Sequence, residues 1–195
     1  MAFFIRLAAW LIVILLIAGA IAVGYVMATG LSARGQPGGL ETRLARAARR
    51  FAVPGAVKAR QNPVPGSESV LSDGLAHYAD HCASCHANDG SGSTEIGRGL
   101  YPKAPDMRLP ATQSLTDGEL FYIIENGIRF TGMPAWSTGT AAGEASTWHL
   151  VHFIRHLPAV TPEEIERMET LNPRSPEAIR QEIEEERFLQ GGGQP

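Results

Sequence analysis

The N-terminal part of the chain is uniformly apolar, whereas the rest mixes apolar and polar positions. Residues 7–28, LAAWLIVILLIAGAIAVGYVMA, run without a charge. At about 1.5 Å per residue such a helix is about 33 Å long, enough to cross a hydrocarbon layer of about 30 Å. A cleaved signal peptide has a shorter apolar core of about 7–15 residues. The run therefore predicts an uncleaved transmembrane anchor that follows a short cytoplasmic N-terminus at residues 1–6.

A basic segment with helical periodicity follows the anchor, in residues 29–66. Within GGLETRLARAARRFAVPGAV, one helical stripe collects the apolar residues Leu40, Leu44, Ala47 or Ala48, and Phe51. Pro54 and Gly55 end this pattern, and KARQNPVPGSE is typical of a Pro/Gly-rich linker. A basic amphipathic helix beside an anchor can lie on anionic headgroups, dock on an acidic partner, or cover the next domain. The pattern leaves these three interpretations open.

Three amphipathic patterns predict an all-α domain over residues 67–160. Their apolar faces comprise Val70, Leu71, Leu75 and Tyr78 in the first, Leu120, Ile123 and Ile124 in the second, and Trp148, Val151, Phe153, Ile154 and Leu157 in the third. Thr116, three residues before Glu119, predicts a capping box for the second helix. No run of four or more residues alternates with a β-branched bias. The long Gly/Pro-rich stretch 87–113 separates the first two helices, and loops of that length are usually functional.

Residues 161–195 predict an acidic helical extension with a disordered tail. Thr161 and Ser175 each precede a proline, which predicts the starts of two helices. The second helix places four acids, Glu182, Glu184, Glu185 and Glu186, on one side. The extension is either an acidic docking arm or a helix strapped onto the domain.

Charge divides the chain more sharply than its net charge of −3 indicates. Residues 34–66 carry seven bases and one acid, residues 67–160 carry five bases and ten acids, and residues 161–195 carry four bases and nine acids. Only Arg6 precedes the apolar run, so positive charge alone would place the C-terminal side in the cytoplasm. Long domains nevertheless translocate largely regardless of charge.

Both cysteines of the chain lie in DHCASCHANDG, two residues apart and directly before a histidine. A structural zinc usually takes four ligands, so Cys82 and Cys85 would need histidines such as His149, His152 and His156. A redox-active dithiol is expected in a βαβ context, which the sequence lacks before Cys82. Cys-x-x-Cys-His is the motif of covalent haem attachment, and here it predicts two thioethers to one haem c with His86 below the iron. Because c-type haem is attached outside the bacterial cytoplasmic membrane, we expect the domain on the periplasmic side.

The order helix, Cys-x-x-Cys-His, long loop, helix, Gly-Met-Pro and terminal helix resembles a class I cytochrome c over residues 67–158. The resemblance implies that fold, with the transmembrane helix and the C-terminal extension added to it. It also implies that the first helix, at Gly74 and Tyr78, crosses the last helix near Leu150 and Phe153. Ala87 departs from the family pattern, in which glycine is common at that position.

The resemblance further implies that the iron is held by His86 and by Met133 of TGMPAW. It implies that a proline carbonyl, Pro105 or else Pro102, accepts a hydrogen bond from His86. The other side chains considered for the sixth position are Met27, Met107, Met168, His77, His81, His149, His152 and His156. We expect Met107 to pack on the ring and the histidines to be solvated.

Such a ligand set implies one-electron transfer and no catalytic residues, because both axial positions are filled. The protein is then a membrane-tethered carrier or the cytochrome subunit of a respiratory or dehydrogenase complex. We expect its partners to be membrane lipid and redox proteins in or on the membrane, and neither nucleic acid nor a small-molecule substrate. A peroxidase-like haem enzyme or a haem-based gas sensor, with a displaceable sixth ligand, is the alternative.

Overall fold

The computed structural model describes residues 1–174 and 176–189, which form two compact units, Met1–Gly35 and a second that begins at Gln36. Every regular element in these ranges is helical, and no β-strand occurs among them. The all-α prediction is therefore confirmed. The predicted cap at Ser175 and the predicted disordered tail at 191–195 lie outside the described residues.

The first unit contains α1 (Ala2–Thr29), a helix that is long and apolar enough to cross a membrane. It begins five residues before the apolar run that predicted it. Its side chains are exposed throughout the unit, including those of Trp10, Leu15 and Leu16. A helix that is apolar on all sides needs a nonpolar surrounding, as an anchor in lipid or a signal sequence has.

The second unit is a bundle of short and medium helices. In chain order these are α2 (Gly39–Ala52), α3 (Gly55–Lys58), α4 (Glu68–His77), α5 (Ala83–His86), α6 (Glu95–Gly99), α7 (Pro110–Gln113), α8 (Asp117–Asn126), α9 (Ala141–His156), α10 (Pro162–Leu171) and α11 (Pro176–Leu189). A π-helical turn, Tyr78–Cys82, joins α4 to α5. The predicted capping box of Thr116 and Glu119 starts α8, and Gly127 ends it.

The core of the second unit is centred on the crossing of α4 and α9. Gly74 is buried there, and a Cβ added to it would lie 2.4 Å from the carbonyl oxygen of His149 and 3.0 Å from the Cβ of Phe153. The rings of Tyr78 and Phe153 lie 5.1 Å apart between their centroids. Both of these side chains are fully buried. The absence of a side chain at Gly74 thus lets the two helix backbones come together as the family resemblance implied.

The predicted linker between α2 and α4 lies against this core, although it has little regular structure. Asn62 donates from Nδ2 to the carbonyl of Trp148 at 2.9 Å. The guanidinium of Arg60 lies 4.6 Å from the centroid of the Phe121 ring, which stacks on Trp148 at 4.2 Å. These contacts hold the segment along α8 and α9.

The two helices of the acidic extension differ in their packing. Met168 of α10 is fully buried, and Arg167 donates to the Ser72 hydroxyl of α4 at 2.8 Å. Thr161 caps α10, as predicted. All described side chains of α11, those of residues 178–189, are exposed. The structure therefore makes α10 part of the bundle and leaves the acidic face of α11 open.

The Gly74 crossing can be tested by adding one methyl group. Gly74→Ala should lower the free energy of unfolding by about 1–3 kcal/mol, because the new Cβ overlaps a backbone carbonyl that cannot move unless the helices separate. Gly99→Ala is the matched control, since a Cβ at that helical glycine meets nothing within 4 Å. Denaturant midpoints of both variants in detergent measure the effect. Equal midpoints for the two would contradict the crossing.

Candidate haem site

The four site residues predicted from the sequence line one cavity. Its wall includes Cys82, Cys85, His86 and, 47 positions later in the chain, Met133. The cavity has a volume of about 680 Å³, within the range of roughly 300–1,000 Å³ that is usual for cofactor sites. The fold therefore brings the motif and the predicted distal methionine to the same space.

The turn between α4 and α5 presents the motif to this cavity. Its π-helical geometry adds a residue to one helical turn, a distortion that often occurs at functional sites. Tyr78 begins the turn, and its hydroxyl donates to the carbonyl of Ala87 at 3.0 Å. The residues before and after the motif are thereby tied together through the fully buried side chain of Tyr78.

The thiols of Cys82 and Cys85 are both free. Burial raises the pKa of Cys82 to about 12, and the neighbouring Cys85 contributes in the same direction. The thiolate is the form that attacks disulfides and binds zinc. The raised pKa of Cys82 therefore disfavours the redox-active dithiol. Zinc is disfavoured on another ground, since no group of three His, Cys, Asp or Glu side chains in the described ranges is arranged to hold a metal ion.

His86 has the properties of an iron ligand. Burial lowers its pKa, while a backbone acceptor on Pro105 opposes that shift, so the neutral imidazole is favoured. Neutral imidazole is the form that binds metals. Its Nδ1 is buried and has no partner of full hydrogen-bond geometry among the described residues, and Pro105 is the acceptor that the resemblance implied. A metal-bound histidine normally donates this second nitrogen to a carbonyl or carboxylate.

A tight loop after α8 carries Met133. The amide of Met133 donates to the Thr131 hydroxyl at 3.1 Å, and its carbonyl accepts from the amide of Ile128 at 3.1 Å. Gly127 starts the loop with φ +64°, and a Cβ there would lie 2.6 Å from the Met133 carbonyl oxygen. Glycine at this position allows the chain to fold back on itself and to place Met133, half-buried, on the cavity wall.

The other candidates for the sixth position are placed differently. Met107 and Met168 belong to the protein core and do not line the cavity, so the expectation that Met107 packs on the ring is not supported. Met27 lies in α1. His81 lines the cavity, but it is exposed, and its ring lies edge-on to Trp136 at 5.3 Å.

The three histidines of α9 are half-buried rather than solvated. His152 Nε2 lies 2.8 Å from the carbonyl oxygen of Val64, and His156 Nε2 lies 2.9 Å from the Glu164 carboxylate. His149 lies 3.6 Å from the carboxylate of Asp73. These side chains bind different partners, and within 1–174 and 176–189 no group of three His, Cys, Asp or Glu side chains is arranged to hold a metal ion.

Helix α2 forms a part of the cavity wall that the sequence analysis did not assign. Its contribution is Glu41, Thr42, Ala45, Arg46 and Arg49. The tyrosine hydroxyl of Tyr101 donates to the Glu41 carboxylate at 2.7 Å. The predicted apolar stripe faces away, since Leu40, Leu44 and Phe51 are 72%, 62% and 92% exposed. The sequence did offer a signal for this wall. Residues 42, 45 and 49 have helical spacing and so share a second face of α2, opposite the apolar stripe.

Two thiols, a neutral imidazole and a thioether around one cavity fit a covalently bound haem, and together with the helix order they define a c-type cytochrome domain. Residues 69–154, which are 86 of the 195 in the chain, match the family model described as "Cytochrome C oxidase, cbb3-type, subunit III". A search of curated proteins gave no match. The chain thus contains a c-type cytochrome domain, a class that transfers electrons by means of haem. The matched region includes all four predicted site residues and omits α1, α2, α3, α10 and α11.

Ala87, directly after the motif, stands in a backbone conformation that is used almost only by glycine, with φ 60° and ψ 158°. Ala87→Gly should therefore raise the free energy of unfolding, by about 1 kcal/mol. Ala83→Gly is the control, because Ala83 has helical angles (φ −62°) and the same change there should lower stability. Denaturant midpoints of the haem-loaded variants measure both effects. A lower midpoint for Ala87→Gly would show that the backbone is not strained.

Proposed function

We propose that the protein transfers single electrons by means of one haem c, bonded to Cys82 and Cys85 and ligated by His86 and Met133. The observation that carries this proposal is the position of Met133, on the same cavity wall as the motif. The two other methionines of the second unit, Met107 and Met168, are buried in the core instead.

The ligand set determines the kind of chemistry. When bound, haem supplies a reversible one-electron couple, and a thioether opposite histidine gives it a higher potential than a second histidine would. With His86 and Met133 both holding the iron, the site would leave no place for oxygen, peroxide or a substrate. Electron transfer is favoured over the peroxidase-like and gas-sensing alternatives for this reason. The hydrogen bonds of Met133 to Thr131 and Ile128 also hold the distal loop in place.

The site works at a membrane in this proposal. Helix α1 stays uncleaved as a single-pass anchor of the bacterial cytoplasmic membrane, with the N-terminus inside and the haem domain on the periplasmic side. The protein serves as a tethered carrier or as the cytochrome subunit of a respiratory or dehydrogenase complex. Its redox partners lie in or on the membrane, and the exposed acids of α11 offer them a charged docking surface.

Removal of the thioether tests the ligand assignment. Met133→Ala should lower the reduction potential and open the reduced iron to carbon monoxide, because the sixth position loses its ligand. Met107→Leu is the control, since that methionine is a core residue and the change conserves volume. A redox titration and a carbon monoxide difference spectrum measure the two effects. A wild-type protein that binds carbon monoxide avidly when reduced would contradict the proposal.

The anchor can be tested by extraction and protection. The chain should remain in membranes through high salt and alkaline carbonate, because burial rather than charge holds a spanning helix. Protease added to spheroplasts should cleave the haem domain, and in inside-out vesicles the domain should be protected. Release of most of the protein by carbonate would show that α1 is removed as a signal sequence.

A further inference from the structure

The cavity wall carries an excess of positive charge, much of it from α2. Its basic residues are Arg46 and Arg49 of α2, together with Arg98 and Lys103 of the following loops. Glu41 is the one carboxylate on the wall among the described residues, and it already accepts from the hydroxyl of Tyr101. The cavity is therefore suited to an apolar group that also bears anionic substituents.

Of the two arginines by which α2 lines the cavity, Arg49 is more deeply buried than Arg46. It is half-buried, and burial lowers its pKa. Glu119 opposes that shift, whereas the adjacent charges of Arg46 and Arg50 add to it. Glu119 is engaged in the capping box of α8, and among residues 1–174 and 176–189 no carboxylate lies within ion-pair distance of Arg49. A partly desolvated cation among other cations is costly unless an anion joins it.

Haem supplies such anions. It carries two propionate carboxylates, on the side of the macrocycle away from the vinyl groups that form the thioethers. The planar guanidinium fork matches a carboxylate in two parallel hydrogen bonds, which makes arginine the favoured partner. Arg98 is already committed, since its Nη1 donates to the Ser93 carbonyl at 2.8 Å and to the Ser93 hydroxyl at 3.0 Å. Arg46 and Arg49 have no such commitment in the part of the chain that the structure describes.

We propose that α2 is a haem-binding helix, in which Arg46 and Arg49 pair with the propionates and so hold α2 over the cavity. This inference rests on the proposed function, because it requires haem in the cavity. It extends the cofactor site to a helix outside residues 69–154, the region that matches the family. It also gives the basic segment a role inside the protein, while Leu40, Leu44 and Phe51 remain exposed on its outer face.

The reduction potential of the full-length protein tests the pairing. Arg46→Gln and Arg49→Gln should each lower the potential, because oxidised haem has one more positive charge and is favoured when a nearby cation is lost. We expect a several-fold shift in the ratio of oxidised to reduced protein for each, where tenfold corresponds to about 59 mV. Arg43→Gln is the matched control, since Arg43 lies on the same helix, is exposed, and does not line the cavity. Arg49→Lys should recover part of the shift, because it keeps the charge without the fork.

Two further readouts separate a propionate contact from a remote charge effect. The propionate bending band in the resonance Raman spectrum should move in Arg49→Gln and stay in place in Arg43→Gln. Trypsin should cleave α2 at Arg43 and Arg50 faster in the Arg46→Gln/Arg49→Gln protein than in wild type. The same sites should be open in a Cys82→Ala/Cys85→Ala protein that lacks haem, since its arginines have no anion to bind.

The outcomes distinguish this inference from the function on which it rests. If the double variant shifts the potential no more than Arg43→Gln does, and its α2 resists trypsin as in wild type, the inference is overturned while the electron-transfer proposal stands. If acid–acetone extracts the haem from the wild-type protein, the covalent attachment in the proposed function is wrong, whereas the pairing is still decided by the arginine variants. If the wild-type protein binds no haem at all, both proposals fall together.

Discussion

The close approach of α4 and α9 at Gly74 is the contact on which the haem site depends. Helix α4 runs without a break into the π-helical turn and then into α5, so the angle of the crossing sets where Cys82 and His86 point. Tyr78 reinforces this relation, because its ring packs on Phe153 while its hydroxyl holds the carbonyl of Ala87. The lack of a side chain at Gly74 therefore controls the geometry of the part of the site that contains Cys82 and His86.

The distal half rests on a different support. Met133 is held by a loop that folds back at Gly127, at the end of α8. Helix α8 packs on α9 through the stacked rings of Phe121 and Trp148. Helix α9 is thus the common element between the two proposed axial ligands, and its packing fixes their separation. Rigid placement of the two proposed ligands would suit a centre that changes its charge and needs no rearrangement.

Sequence analysis predicted correctly those features that depend on residues close together in the chain. The cap at Thr116 involves a side chain and its own backbone three residues away, so a short pattern suffices to predict it. The partners of α9 could not be predicted in this way, because His152 meets the carbonyl of Val64, which is 88 positions away. Helix α2 was predicted as a helix but not as a cavity wall. The apolar periodicity favoured burial of Leu44. In the structure, the opposite and polar face of α2 lines the cavity instead.

The functional unit extends beyond the region that resembles known cytochromes. The cavity wall begins at Gln36, and the core includes Met168 of α10, although the family match runs only from 69 to 154. Arg60, placed over the rings of Phe121 and Trp148, likewise joins the N-terminal segment to the core that supports Met133. The additions on both sides therefore belong to the same packed body as the predicted ligands. Because a potential depends on the charge and exposure around the haem, we expect these added segments to contribute to it.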